Sequence, residues 1–135
     1  MNKKQLIVFL ALLIVTPVFA EDSHPIDVFL DECQEQNTST AGMVDCLEQA
    51  CKKWEVEIEK YYNLLMDILK EESKERLRQS QLAWLKFRDL ESEFISEGYF
   101  LDIGSYIRPT KRSNQLTIIR NRALQLKIYY NTVNN

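Results

Sequence analysis

The sequence predicts an all-α domain: an antiparallel helical hairpin of two long helices with a short N-terminal helix, a C-terminal helix and one disulfide. Apolar residues recur at spacings of three and four along the long segments, which is the period of an amphipathic helix. Helix breakers are few, 3 Gly and 3 Pro in 135 residues, and those after residue 20 lie outside the apolar stripes of these segments. No segment of useful length alternates apolar and polar residues, as a half-buried strand would.

The first twenty residues have the composition of a secretory signal peptide. Lys3 and Lys4 form a charged start, Leu6 to Val15 is an unbroken apolar run, and small residues precede a cut expected after Ala20. The apolar run is short for a bilayer-spanning helix, which needs about 20 residues. We therefore expect residues 21–135 to form one exported domain, periplasmic or secreted, without membrane attachment after cleavage.

Apolar stripes and the breaks between them predict the first helices. A short element from Ile26 to Cys33 follows Pro25. A long helix from about Thr40 to Glu71 carries one stripe, formed by Met43, Leu47, Ala50, Trp54, Ile58, Tyr61, Leu65 and Ile68. The charged stretch from Lys70 to Arg76 is the expected reversal, with Ser73 as the cap of the next helix. No Gly or Pro enforces a turn there, so one continuous helix is the alternative.

Two further helices are predicted beyond the reversal. The third runs from about Ser73 to Glu97, and Gly98 suits the position just after its end. An irregular segment from Gly98 to Arg112 follows. The last helix covers about Ser113 to Thr132, and its apolar face is expected to lie against the hairpin.

Three cysteines remain after cleavage, and in an oxidising compartment two of them are expected to bridge. Cys46 and Cys51 lie on one predicted helix at a spacing that points their side chains about 140° apart. Cys33 is therefore a partner in any internal bridge, and we favour Cys46 as the other. Cys51 is then a buried, inert thiol, with intermolecular pairing as the alternative.

Charge is unevenly distributed along the chain. The formal net charge of −3 becomes −5 when cleavage removes Lys3 and Lys4, and this acidity argues against a nucleic-acid ligand. All 20 acidic residues precede Arg108, and every charged residue from there onward is basic. This basic stretch either packs on acidic neighbours within the molecule, which we favour, or forms a face for an anionic ligand.

One segment of the third helix combines amide, aromatic and guanidinium groups. Its members are Gln81, Trp84, Phe87, Arg88 and Asp89. A buried Trp supplies apolar area, whereas Gln and Arg need hydrogen-bond partners. We interpret the segment as a structural lock between paired helices rather than a reaction centre, with Glu55, Glu59 or Glu91 as charge partners of the arginine.

The same segment resembles the LprI-like lysozyme-inhibitor family of exported bacterial proteins, which share a Q-x-x-W-x-x-[FY]-R-D run. Upstream, Cys46, Ala50 and Tyr62 lie where the family has a cysteine, an alanine-containing turn and a D-x-x-L-N-x-x-Y pattern. Downstream, Thr117 and Arg120 resemble its T-x-x-R helix, which follows a glycine-containing loop. The resemblance spans most of residues 33–126 and implies an exported inhibitor of lysozyme.

Two departures from the family pattern affect these expectations. Glu55 and Glu59 stand where Asp and Asn are usual. The cysteine that often follows the R-D pair is absent from the run Leu90-Glu91-Ser92, so a second bridge is not expected.

No catalytic or cofactor-binding pattern is recognisable. The sequence has no G-x-S-x-G, no phosphate-binding glycine loop and no H-E-x-x-H, and His24 is its one histidine. We expect a protein that is not an enzyme and that binds neither cofactor nor metal.

The irregular segment 98–112 is the candidate partner-binding surface. It carries Tyr99, Tyr106 and Arg108, residue types enriched at binding hot spots. The segment either enters the cleft of a protein partner, such as a c-type lysozyme, or caps the open end of the bundle. The alternative function is a periplasmic structural or interaction module without effect on lysozyme. No oligomeric state is predicted.

Overall fold

The computed structural model describes residues 23–98 and 107–134, and within these ranges the chain is helical and has no strand. Four α-helices follow one another: α1 (Pro25–Gln36), α2 (Thr40–Ile68), α3 (Glu71–Glu93) and α4 (Ile107–Asn134). A π-helical turn, Phe94–Gly98, extends α3. The predicted all-α class, with two long helices that reverse between Ile68 and Glu71, is confirmed. The predicted leader, with its cut after Ala20, lies outside the described residues.

Side-chain caps fix the starts of α1 and α2. The backbone N–H of Ile26 donates to Nδ1 of His24 (3.2 Å) at the start of α1. The N–H of Gly42 donates to Oγ of Ser39 (3.0 Å) at the start of α2. A glycine suits position 42 because a Cβ there would lie 2.8 Å from Cβ of Asn37, too close for an ordinary contact.

Several predicted boundaries are wrong, and α1 ends at Gln36 rather than at Cys33. α2 ends at Ile68 rather than near Glu71, and α3 begins at Glu71, so Ser73 lies inside the first turn instead of capping it. α4 begins at Ile107, so residues 107–112, predicted to be irregular, are helical. Pro109 is accommodated because the first N–H groups of a helix have no intrahelical acceptor, and its missing N–H costs no bond there.

The closest packing in the bundle is between α2 and α4 rather than across the α2–α3 reversal. Trp54 lies beside Arg120, and Tyr61 lies beside Tyr130, so α2 and α4 run parallel. The core consists mainly of their facing residues, which are Leu47, Ala50, Cys51, Trp54, Ile58 and Leu65 from α2 with Leu116, Ile119, Ala123 and Leu126 from α4.

α3 is the crossover between these parallel helices, and it contacts α4 between Leu77 and Phe87. Leu77 lies near Tyr129, whereas Phe87 lies near Ile118, so α3 is antiparallel to α4. Leu77 is the one residue of α3 that is buried. None of the helices in the described ranges combines the length and apolarity that crossing a membrane requires.

Candidate functional site

α1 runs antiparallel to α2 and is bonded to it covalently. Cys33 and Cys46 form the predicted disulfide, with their Cα atoms 5.8 Å apart. Cys51 is a free thiol in the core, and burial raises its pKa. The predicted pairing is confirmed, and the burial of Cys51 agrees with an inert thiol rather than with a bridge to another molecule.

The start of α1 is anchored on Trp54, which is 1% exposed. The ring of His24 lies 4.3 Å from the indole, centroid to centroid, and the guanidinium of Arg120 lies 5.5 Å from it. Nε of Arg120 donates to Oδ1 of Asp27 (2.9 Å) and Nη2 donates to Oδ2 (2.7 Å), so the two side chains form a bidentate ion pair. Arg120, singled out from the family pattern, thus ties α4 to α1.

Sequence reasoning missed the roles of His24 and Asp27. Asp27 lies 93 residues from Arg120, and helical periodicity relates only residues within a few turns of one another. The one available signal was a carboxylate in the first turn of a short helix, which also has the ordinary explanation of a favourable charge near the helix dipole.

Two other residues of the family pattern, Tyr62 and Thr117, do not take part in the contacts between α1 and α4 described above. Tyr62 is half-buried and packs against the core. Thr117 is exposed, and its Oγ1 donates to the backbone oxygen of Ser113 (3.0 Å), one turn earlier on α4.

In the segment of α3 interpreted as a lock, Gln81 bonds to a residue of α4. Oε1 of Gln81 accepts from Nε of Arg122 (3.0 Å), and Oγ of Ser80 accepts from Nη2 of the same guanidinium (3.3 Å). The guanidinium carbon of Arg122 also lies 5.8 Å from the centre of the Trp84 ring. Trp84 is half-buried rather than buried, because the α3–α4 contact covers only one side of α3.

The expected charge partners of Arg88 are wrong. Glu55 and Glu59 belong to α2, and at this level α3 packs against α4, so neither accepts a hydrogen bond from Arg88. Nε and Nη2 of Arg88 instead donate to Oδ1 of the adjacent Asp89, at 2.9 and 2.7 Å. The guanidinium lies 5.5 Å from the centre of the Trp84 ring, so Arg88 stacks within its own helix rather than clasping a second one.

A shallow groove of about 310 Å³ lies between α3 and α4. Its lining consists of Trp84, Phe87, Ile118, Asn121, Arg122 and Gln125. Arg122 is 9% exposed, and desolvation lowers its pKa from the ordinary arginine value. Among the described residues, none of the carboxylates lies within ion-pair distance of its guanidinium. The favoured intramolecular role of the basic stretch therefore applies to Arg120, which pairs with Asp27, and not to Arg122.

The outer surface of α3 exposes several apolar side chains. Phe87 is 50% exposed, Leu90 is 56% exposed, and Leu82 lies two turns earlier on the same helix with comparable exposure. Asp89 and Glu93 are exposed between and beyond them. This surface combines apolar area with carboxylates, which is the composition of many polar-rimmed interfaces.

Of the predicted partner-binding residues, the structure describes Arg108. Arg108 is exposed on the first turn of α4, whereas Tyr99 and Tyr106 lie outside the described residues. The π-helical turn that ends α3 lies next to this turn, because Nζ of Lys111 donates to the backbone oxygen of Ser96. In the part of the chain that the structure describes, no group of three His, Cys, Asp or Glu side chains is placed to hold a metal ion.

Comparisons with known proteins give one family and one fold. A family model described as "Lysozyme inhibitor LprI" matches residues 32–126. The structure is similar to the crystal structure of an uncharacterized protein from Burkholderia thailandensis, with a TM-score of 0.77 and 25% sequence identity. That similarity covers 84% of this chain and 56% of the Burkholderia protein, so the chain spans little more than half of that protein's length. None of the curated proteins matches this chain.

Proposed function

This chain belongs to the LprI family of lysozyme inhibitors, and from that premise we propose that it is an exported protein that inhibits a c-type lysozyme by protein–protein contact. The apolar leader supports export, with cleavage after Ala20 leaving residues 21–135 in the periplasm or outside the cell. Inhibition by contact requires a surface that blocks an enzyme and no catalytic group of its own.

The observation that carries this proposal is the exposed outer surface of α3. Phe87 and Leu90 present apolar area to solvent, with Asp89 and Glu93 beside them. Isolated apolar side chains are ordinary on a surface, but several along one helix in a carboxylate rim favour a protein contact. The carboxylates, together with the acidic net charge, attract a cationic partner and raise its association rate.

We place the contact where this surface meets the connection between α3 and α4. Arg108 is exposed there, and Tyr99 and Tyr106 belong to the connection by sequence. Tyr and Arg are over-represented among residues that dominate binding energy. A segment held between two helices loses less conformational entropy on binding than a free one, so it is well suited to occupy an enzyme cleft.

A lysis assay tests the proposal directly. Protein secreted from cells that express the full chain is mixed with c-type lysozyme and bacterial cell walls, and the clearing rate is followed. We expect micromolar protein to slow clearing. We expect Leu90→Asp, and separately the double substitution Tyr106→Ala with Arg108→Ala, to weaken inhibition about tenfold or more.

A matched control separates the α3 surface from a general effect of charge. Val56 on α2 is 62% exposed, close to Leu90, so Val56→Asp adds the same charge elsewhere. Val56→Asp is expected to inhibit like the unaltered protein. If the unaltered protein leaves the clearing rate unchanged, the proposal is refuted and the interaction module without lysozyme activity is the function that remains.

A further inference from the structure

Arg122 is a buried cation whose charge is not neutralised within the described chain. Its guanidinium bonds to the neutral groups Gln81 and Ser80, and no described carboxylate lies within 4.0 Å of it. Burying a guanidinium without an anion is costly, because hydrogen bonds to neutral groups replace only part of its hydration. The lowered pKa of Arg122 reflects this loss of hydration.

The groove above this cation has the lining that a saccharide needs. The ring of Phe87 is half-exposed, and Trp84 lies beside it, so an apolar surface faces the cavity. Asn121 and Gln125 supply side-chain amides that both donate and accept hydrogen bonds. Pyranose rings present apolar C–H faces and polar hydroxyl edges, and the groove offers a counterpart to each.

We propose that the α3–α4 groove binds a sugar that carries a carboxylate, with the carboxylate paired to Arg122 and the sugar ring packed against Phe87. The guanidinium already has Nε and one Nη2 contact inside the bundle, which leaves other N–H donors for the ligand. The cavity volume of about 310 Å³ lies at the small end of ligand pockets and matches a single sugar unit. This proposal shares Phe87 with the surface proposed to contact lysozyme, but it does not require lysozyme inhibition.

An acidic side chain from a protein partner is the competing occupant of the same cation. A carboxylate on a flexible side chain needs only the guanidinium, and it leaves the amides of Asn121 and Gln125 without a defined role. The coincidence of two aromatic rings, two amides and one buried guanidinium in one small cavity favours the carboxylated sugar.

NMR titration of the secreted protein tests the proposal. The chain has two tryptophans, so two indole N–H signals are expected, assigned with Trp84→Phe. N-acetylmuramic acid is expected to shift the Trp84 signal with millimolar affinity and to leave Trp54, which is 1% exposed, unaffected. N-acetylglucosamine, which lacks the carboxylate, is expected to bind at least about tenfold more weakly.

Substitutions link binding to the groove. Arg122→Gln removes the charge and keeps hydrogen-bonding capacity, and Phe87→Ala removes the exposed ring; each is expected to weaken binding about tenfold. Because Arg122→Gln acts at a buried position, its folding is checked by circular dichroism, and the exposed Phe87 keeps the test valid if that variant unfolds. Leu90→Ala, on α3 outside the groove, is the control and is expected to bind normally.

Four results would overturn the proposal. Absence of binding at millimolar N-acetylmuramic acid excludes the site. Equal affinity for N-acetylglucosamine and N-acetylmuramic acid shows that Arg122 does not bind the carboxylate of the ligand. Equal affinity for lactate shows a bare carboxylate site that ignores the sugar. Tighter binding of an acidic peptide assigns the groove to a protein partner.

Discussion

Reduction of the Cys33–Cys46 disulfide is expected to cost about 3 kcal/mol of unfolding free energy. The bridge joins residues 13 apart, and the loss follows from the entropy that an open loop of this length regains in the unfolded chain. α1 has further anchors, the Asp27–Arg120 ion pair and the packing of His24 on Trp54. We therefore expect the reduced protein to fold to the same structure, with the full helical signal before denaturation.

Urea denaturation followed by circular dichroism at 222 nm measures this loss. Both oxidised and reduced samples carry Cys51→Ala, because a third thiol could exchange with the opened bridge. At slopes of about 1–3 kcal/mol/M, the midpoint is expected to fall by about 1–3 M. A loss under about 1 kcal/mol would refute the entropic account. A loss of helical signal at zero urea would instead show that α1 depends on the bridge for its docking.

Three further predictions concern single side chains. Asp27→Asn is expected to lower the unfolding free energy by about 1–2 kcal/mol, a cost that salt reduces because the ion pair with Arg120 is partly exposed; denaturation at two salt concentrations checks it. Desolvation, and after it the charge of Lys127, lowers the pKa of His24, so protonation of the ring is disfavoured in the folded state. The unfolding free energy is therefore expected to fall as the pH drops below about 6.5 and to level off below the folded pKa. His24→Asn keeps a capping side chain and is expected to remove this pH-dependent step from the denaturation curves. Cys51 is expected to react with a thiol reagent only after unfolding, so fast labelling of the native protein would contradict its burial.

The helices and the disulfide could be predicted because their determinants are local. The apolar period of α2 identified Trp54 and Leu65 as core residues, and both are buried. The divergent directions of Cys46 and Cys51 on one helix restricted the bridge to a partner outside it, and Cys33 is that partner. These arguments need only the geometry of a single helix.

The pairing of helices could not be predicted in the same way. A stripe shows which face of a helix is buried but not which helix covers it. Apolar area explains the outcome, since the stripe of α2 is almost wholly apolar, whereas that of α3 contains Gln81, Arg88 and Glu91. The buried faces of α2 and α4 pack against each other, and α3, of which Leu77 alone is buried, lies at the periphery.

The sequence identified residues of α3 that contact another helix, but it did not identify the residue they contact. The Gln81 and Trp84 segment does meet a guanidinium from another helix, but that guanidinium belongs to Arg122 on α4. Because Arg88 belongs to the same short run as Gln81 and Trp84, the sequence indicates it as the arginine of the lock. Contacts between residues about 40 positions apart depend on the helix arrangement, which periodicity does not specify.

Because α3 buries little of its surface against the bundle, its solvent-facing side tolerates substitution. With Leu77 alone buried, most exchanges along the solvent-facing side of that helix shift stability by no more than about 0.5 kcal/mol. Substitutions on that side therefore change what α3 presents to solvent while the two parallel helices beneath it keep their packing.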